Sequence, residues 1–179
     1  MKQFRQFLAS LSLCMAATAI LFAQSAERTV KLAKAQNEPL EVIKLAAAGQ
    51  EVRFDQAFDA ENDDWFRDLR VTVKNVSAQP IDAIDIELIF HGSEAASPPS
   101  MEHLFYGCNL ALGKSKSSKC AQPPVAPGSA ITLLLKDYKS TRGYLTRTGK
   151  PQRINDFQLR IGEVIFADGS MFYLGNTFK

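Results

Sequence analysis

Between Leu69 and Phe90 apolar and polar residues alternate in two successive runs, and no other stretch limits the fold as tightly. Leu69, Val71 and Val73 alternate with Arg70, Thr72 and Lys74. Ile84, Ile86, Leu88 and Phe90 alternate with Asp85 and Glu87. A period of two places the apolar side chains on one face of a strand. Two such runs predict a half-buried antiparallel sheet, with all seven apolar residues in one core. The connector from Asn75 to Pro80 is polar and long enough for either a hairpin or a passage between two sheets.

The beginning of the chain is of a different kind. Lys2 and Arg5 are followed by an uncharged run from Phe7 to Ala23, and Ser25 and Ala26 open the polar chain. This three-part plan predicts a secretory signal peptide over residues 1–26, cleaved after about Ala23 or Ala26. The apolar run is shorter than the ~20 residues of a membrane span, so an anchor is the weaker alternative. Leu11-Ser-Leu-Cys14 faintly matches a lipoprotein box, but Leu13 stands where a small residue belongs and Cys14 lies mid-run. The expected address is therefore secreted or periplasmic, with no transmembrane span in the mature chain.

Removing the leader takes away two of the 21 basic residues and none of the 19 acidic ones, leaving 19 of each. With net charge near zero, no global field draws the chain to nucleic acid or to a membrane surface. About 150 mature residues suit one domain with a sizeable core. Cys108 and Cys120 are the cysteines left after processing, and export predicts that they pair. Such a bridge around the polar 109–119 loop would contribute about 3 kcal/mol by restricting the unfolded chain. Metal ligation is the alternative, but two cysteines with no further Cys or His nearby make a poor zinc site.

Residues 27–38 are polar and weakly patterned, and they are expected to form a flexible leader before a domain spanning 39–179. Short strands follow at Leu40–Leu45 and Glu51–Asp55, and Trp65-Phe66 is expected to cap one end of the core. His103–Gly107 is a further short strand, and Ser129–Leu135 predicts a well-buried one. Ile154–Phe166 is a long strand with a bulge expected at Gly162, where the inward face slips by one residue. Asp168-Gly169 predicts a tight hairpin turn of the primed type. One short helix fits within 138–148. The sum is an all-β antiparallel sandwich of about seven or eight strands with at most one short helix.

Val71-Thr-Val-Lys-Asn75-Val-Ser77, then Pro80-Ile81 and the run Ile84–Phe90, resembles immunoglobulin-like modules of exported bacterial proteins. Ile161-Gly-Glu-Val-Ile-Phe-Ala-Asp168-Gly169-Ser-Met-Phe resembles the last hairpin of the same module. The resemblance implies an immunoglobulin-like β-sandwich and no particular activity. It departs from antibody-type domains in its local cysteine pair and in Trp65, which precedes the central strands. Strand topology therefore stays open.

Candidate sites are few. Asp59, Glu61, Asp63 and Asp64 have carboxylates spaced like the start of a calcium loop, but Asp64 stands where the loop needs Gly and Arg70 where it needs Glu. A solvated acidic loop explains them equally. His91 and His103 flank one loop and are candidates for a metal pair or a catalytic base. Against that, there is no Gly-x-Ser-x-Gly elbow and no His-Glu-x-x-His. Lys139, Arg142, Arg147, Lys150 and Arg153 form a basic stretch that suits a polyanion or an ordinary solvated loop. Asn75-Val-Ser77 matches a glycosylation sequon, and Asn75 is read as a turn former instead.

The sequence implies no cofactor. It predicts a non-catalytic binding or structural module of the bacterial envelope, meeting an envelope or extracellular protein or a glycan through loops or an edge strand. The alternative is a calcium- or metal-dependent carbohydrate binder or enzyme using the 59–64 loop or His91 and His103.

Overall fold

The computed structural model describes residues 27–60, 65–90, 100–107, 122–135 and 154–178. Every regular element among them is a strand. In order these are β1 (Glu27–Ala33), β2 (Leu40–Ala47), β3 (Gln50–Val52), β4 (Phe58–Asp59), β5 (Arg70–Asn75) and β6 (Ile81–Phe90). They continue with β7 (Ser100–Gly107), β8 (Ala130–Leu134), β9 (Asp156–Phe166), β10 (Met171–Tyr173) and β11 (Asn176–Phe178). The named strands outnumber the seven or eight expected because several are two- or three-residue pieces.

The strands make an all-β sandwich of two sheets. The smaller sheet runs β3-β2-β5-β8, with every pair antiparallel. The larger centres on β9, whose one edge takes β6, followed by β7. Its other edge is divided: β1 pairs with residues 156–160 and β10 with residues 163–165. The β1–β9 pair is parallel, an exception to the antiparallel pattern expected of the whole fold.

The alternating stretch from Leu69 to Phe90 supplies one strand to each sheet. β5 lies in the smaller and β6 in the larger, so the connector passes between layers instead of closing a hairpin. Leu69, Val71, Val73, Ile84, Ile86, Leu88 and Phe90 are all at most 2% exposed and belong to one core cluster. Asn75 holds the crossing. Its side chain is buried: Nδ2 donates to the Gln79 carbonyl (2.8 Å) and the Val125 carbonyl (2.9 Å). Its Oδ1 accepts from the Ser77 amide (2.9 Å) and hydroxyl (2.7 Å). Both amide hydrogens are spent on carbonyls, which makes Asn75 a turn former and leaves none for a glycan.

Trp65 and Phe66 are buried within the core. Trp65 stacks on Phe157 at 5.5 Å between ring centroids, and its Nε1 donates to the Ile154 carbonyl at 2.7 Å.

Three local expectations are corrected. The polar leader is no leader over residues 27–33, which form β1. Arg28 occupies an inward position beside Val30, and its Nη1 donates to the Ile154 carbonyl and to Asn155 Oδ1, both at 2.6 Å. β8 is an edge strand in which only Leu133 is buried, because β5 covers it on one side alone. The turn after β9 is not of the primed type. Gly169 donates its amide to Phe166 (2.9 Å) with φ +83°, while Ala167 and Asp168 keep negative φ. That is a type I turn closed by a left-handed glycine.

The bulge at Gly162 is present as expected: Asp85 faces Glu163 and Ile86 faces Ile161, leaving Gly162 as the extra residue. The region expected to hold a helix lies outside the described residues.

Candidate functional site

The outward face of the larger sheet brings polar side chains together at the middle of the sheet. On β6 the inward residues Ile84, Ile86 and Leu88 fill the core, so Asp85 and Glu87 point outward. Residues directly opposite in an antiparallel ladder share a face. Phe105 of β7 stands opposite Asp85, Asp85 opposite Glu163 of β9, and Glu163 opposite Tyr173 of β10. One row thus crosses four strands: Phe105, Asp85, Glu163, Tyr173. The aromatic ends are open to solvent, with Phe105 38% and Tyr173 44% exposed.

The neighbouring row holds His103, Glu87 and Arg160. His103 Nδ1 lies 3.0 Å from each oxygen of Asp85, so a proton on that nitrogen is shared by the whole carboxylate. The imidazole also stacks on Phe105, with centroids 5.4 Å apart and planes within 6° of parallel. Glu87 Oε2 accepts from Arg160 Nε at 2.6 Å and from Arg160 Nη2. Gly162 makes that pairing possible. A Cβ there would stand 2.9 Å from Glu87 Oε1 and 3.0 Å from its Cγ, so the bulge leaves room for Glu87 to lie across β9.

Partial burial pushes the Asp85 carboxyl above the ordinary aspartate range. The hydrogen bond and charge of His103 pull it back, and the carboxylates of Glu87 and Glu163 push it up again. Asp85 and Glu87 are each locked by a cation, which fixes their oxygens in place. Their remaining lone pairs are positioned to accept hydrogen bonds from a ligand.

Of the residues singled out from the sequence, His103 is the one in this cluster. His91, its proposed companion, lies outside the described residues. Asp59 is exposed on β4, where its carbonyl accepts from Gln50 Nε2 at 2.7 Å. Glu61, Asp63 and Asp64 are outside the described residues, as are Cys108, Cys120, Lys139, Arg142, Arg147, Lys150 and Arg153. Among the described residues no three His, Cys, Asp or Glu side chains are grouped to hold a metal ion. Nor is any helix there long and apolar enough to cross a membrane. Phe105, Glu163, Arg160 and Tyr173 were not legible as site residues. The signal was the outward phase of Asp85 and Glu87, which marks a polar face and not its neighbours.

No family model matches the chain, and no curated protein does. Among solved structures it is similar to a hypothetical protein from Peptoclostridium difficile 630, at 12% identity and a TM-score of 0.41. That similarity covers 77% of this chain and 87% of the other, and nothing about activity follows from it.

Proposed function

We propose that this chain is an exported, non-catalytic binding module of the cell envelope, built as an immunoglobulin-like sandwich. Its contact surface is the outward face of the larger sheet, bounded by the edge strand β7. The observation that carries this reading is the Phe105–Asp85–Glu163–Tyr173 row, in which two exposed aromatic rings bracket ion-paired carboxylates. Exposed aromatic side chains are large, stiff contact elements that lose little conformational freedom on binding. A purely structural face has no need of rings open to water. The leader-like N-terminus supports export, and the alternation shared with exported modules supports the immunoglobulin-like assignment.

The test is retention on washed envelope preparations. The wild-type chain is expected to be retained, and Phe105→Ala and Tyr173→Ala to be released at unchanged melting temperature. Equal retention of all three would refute the reading.

A further inference from the structure

We infer that the row from Phe105 to Tyr173 is a metal-independent site for a neutral oligosaccharide. The inference rests on the binding-module reading and names the chemistry of the partner.

Three strand spacings separate the two rings, which at about 4.8 Å each is roughly 14 Å. That span exceeds one sugar ring, so a ligand touching both ends is an oligomer. The C–H face of a pyranose packs on an aromatic ring, and its hydroxyls need acceptors at the rim. Glu163 and Asp85 supply those acceptors between the rings, and Glu87 extends them along the neighbouring row. Bonds from hydroxyls to carboxylates are among the stronger neutral-to-ion hydrogen bonds.

The charge arrangement decides against other ligands. Asp85 is engaged by His103 and Glu87 by Arg160, so neither is an open cation site. An anionic glycan would meet three carboxylates, Asp85, Glu87 and Glu163, and be repelled. A protein partner prefers an apolar centre with charge at the rim, and here the order is reversed. A neutral polyhydroxylated chain fits both the apolar ends and the acceptor-rich middle. Because the ion pairs already hold Asp85 and Glu87, little side-chain freedom is lost on binding.

The experiment is isothermal titration of the purified chain with cellohexaose, chitohexaose and maltohexaose in the presence of EDTA. At least one hexasaccharide is expected to bind, with its monosaccharide much weaker. Phe105→Ala and Tyr173→Ala should each weaken binding about tenfold at unchanged melting temperature. Absence of binding to all three, a requirement for calcium, or equal binding by both variants overturns the inference. The two levels separate cleanly. If envelope retention still depends on Phe105 while no hexasaccharide binds or competes, the saccharide assignment falls and the binding module stands. If retention is also indifferent to Phe105 and Tyr173, both fall.

Discussion

Glu87 lies in the space that a side chain on Gly162 would fill, with its Oε1 2.9 Å from where that Cβ would be. The bulge in β9 and the Glu87–Arg160 ion pair are therefore one device. Gly162→Ala is expected to displace the carboxylate and to cost about 1–3 kcal/mol through overpacking. The cost should shrink in a Glu87→Ala background, because the two changes relieve one another. Urea denaturation of the double-mutant cycle measures this, and strict additivity would show that the glycine serves another purpose.

The Asp85 carboxyl gives a pH dependence of known sign. Its pKa is raised in the folded chain, chiefly by burial. A raised pKa means that its contribution to stability is fully present below the unfolded value and is lost as pH rises through the folded one. Asp85→Asn removes that loss. The melting temperature of the variant relative to wild type should climb as pH rises from strongly acidic through the upper carboxylate range. His103→Gln removes the groups that hold the pKa down, so carboxyl NMR should find Asp85 titrating higher still. A downward movement would sink this account.

Asn75→Ala is expected to destabilise by about 2–3 kcal/mol, since it strips a donor from two carbonyls and an acceptor from Ser77 in a buried site. Asn75→Asp should be no better, because it keeps the acceptor but loses both donors and buries a charge. Chemical denaturation followed by circular dichroism decides it. A loss below half a kcal/mol for Asn75→Ala would mean that the backbone turn stands without it.

Trp65 is the single tryptophan, so its fluorescence reports on the core directly. Trp65→Phe keeps a ring against Phe157 but removes the donor to the Ile154 carbonyl, at a cost of about 1–3 kcal/mol. Trp65→Ala leaves a cavity as well and should cost about 3–5 kcal/mol. The two variants compared by thermal melting separate the hydrogen bond from the packing.

The core was readable and the site was not, for different physical reasons. A period of two is a local property, and it marked Leu69, Val71, Val73, Ile84, Ile86, Leu88 and Phe90 as buried without any partner being known. The slip at Gly162 was legible in the same way. β1 was hidden because an arginine takes the inward position where an apolar residue would have betrayed the strand. β8 was over-read because the apolar content of Ala130–Leu134 does not show how many neighbours the strand will have. The Phe105–Tyr173 row depends on register across four strands drawn from distant parts of the chain. Register is a property of pairing, and no single segment carries it.

The parallel pairing of β1 with β9 orders events in time. The first described strand finds its partner at the far end of the chain: Arg28 and Asn155, joined by a hydrogen bond, are 127 positions apart. As the polypeptide is synthesised, Glu27–Ala33 emerges early and Asp156–Arg160 only near the end. The larger sheet therefore cannot close until almost the whole chain is present. Contacts of such separation slow folding, because the loop must be closed before they reward it. The chain is thus built to stay open during synthesis and to complete its fold in one late step.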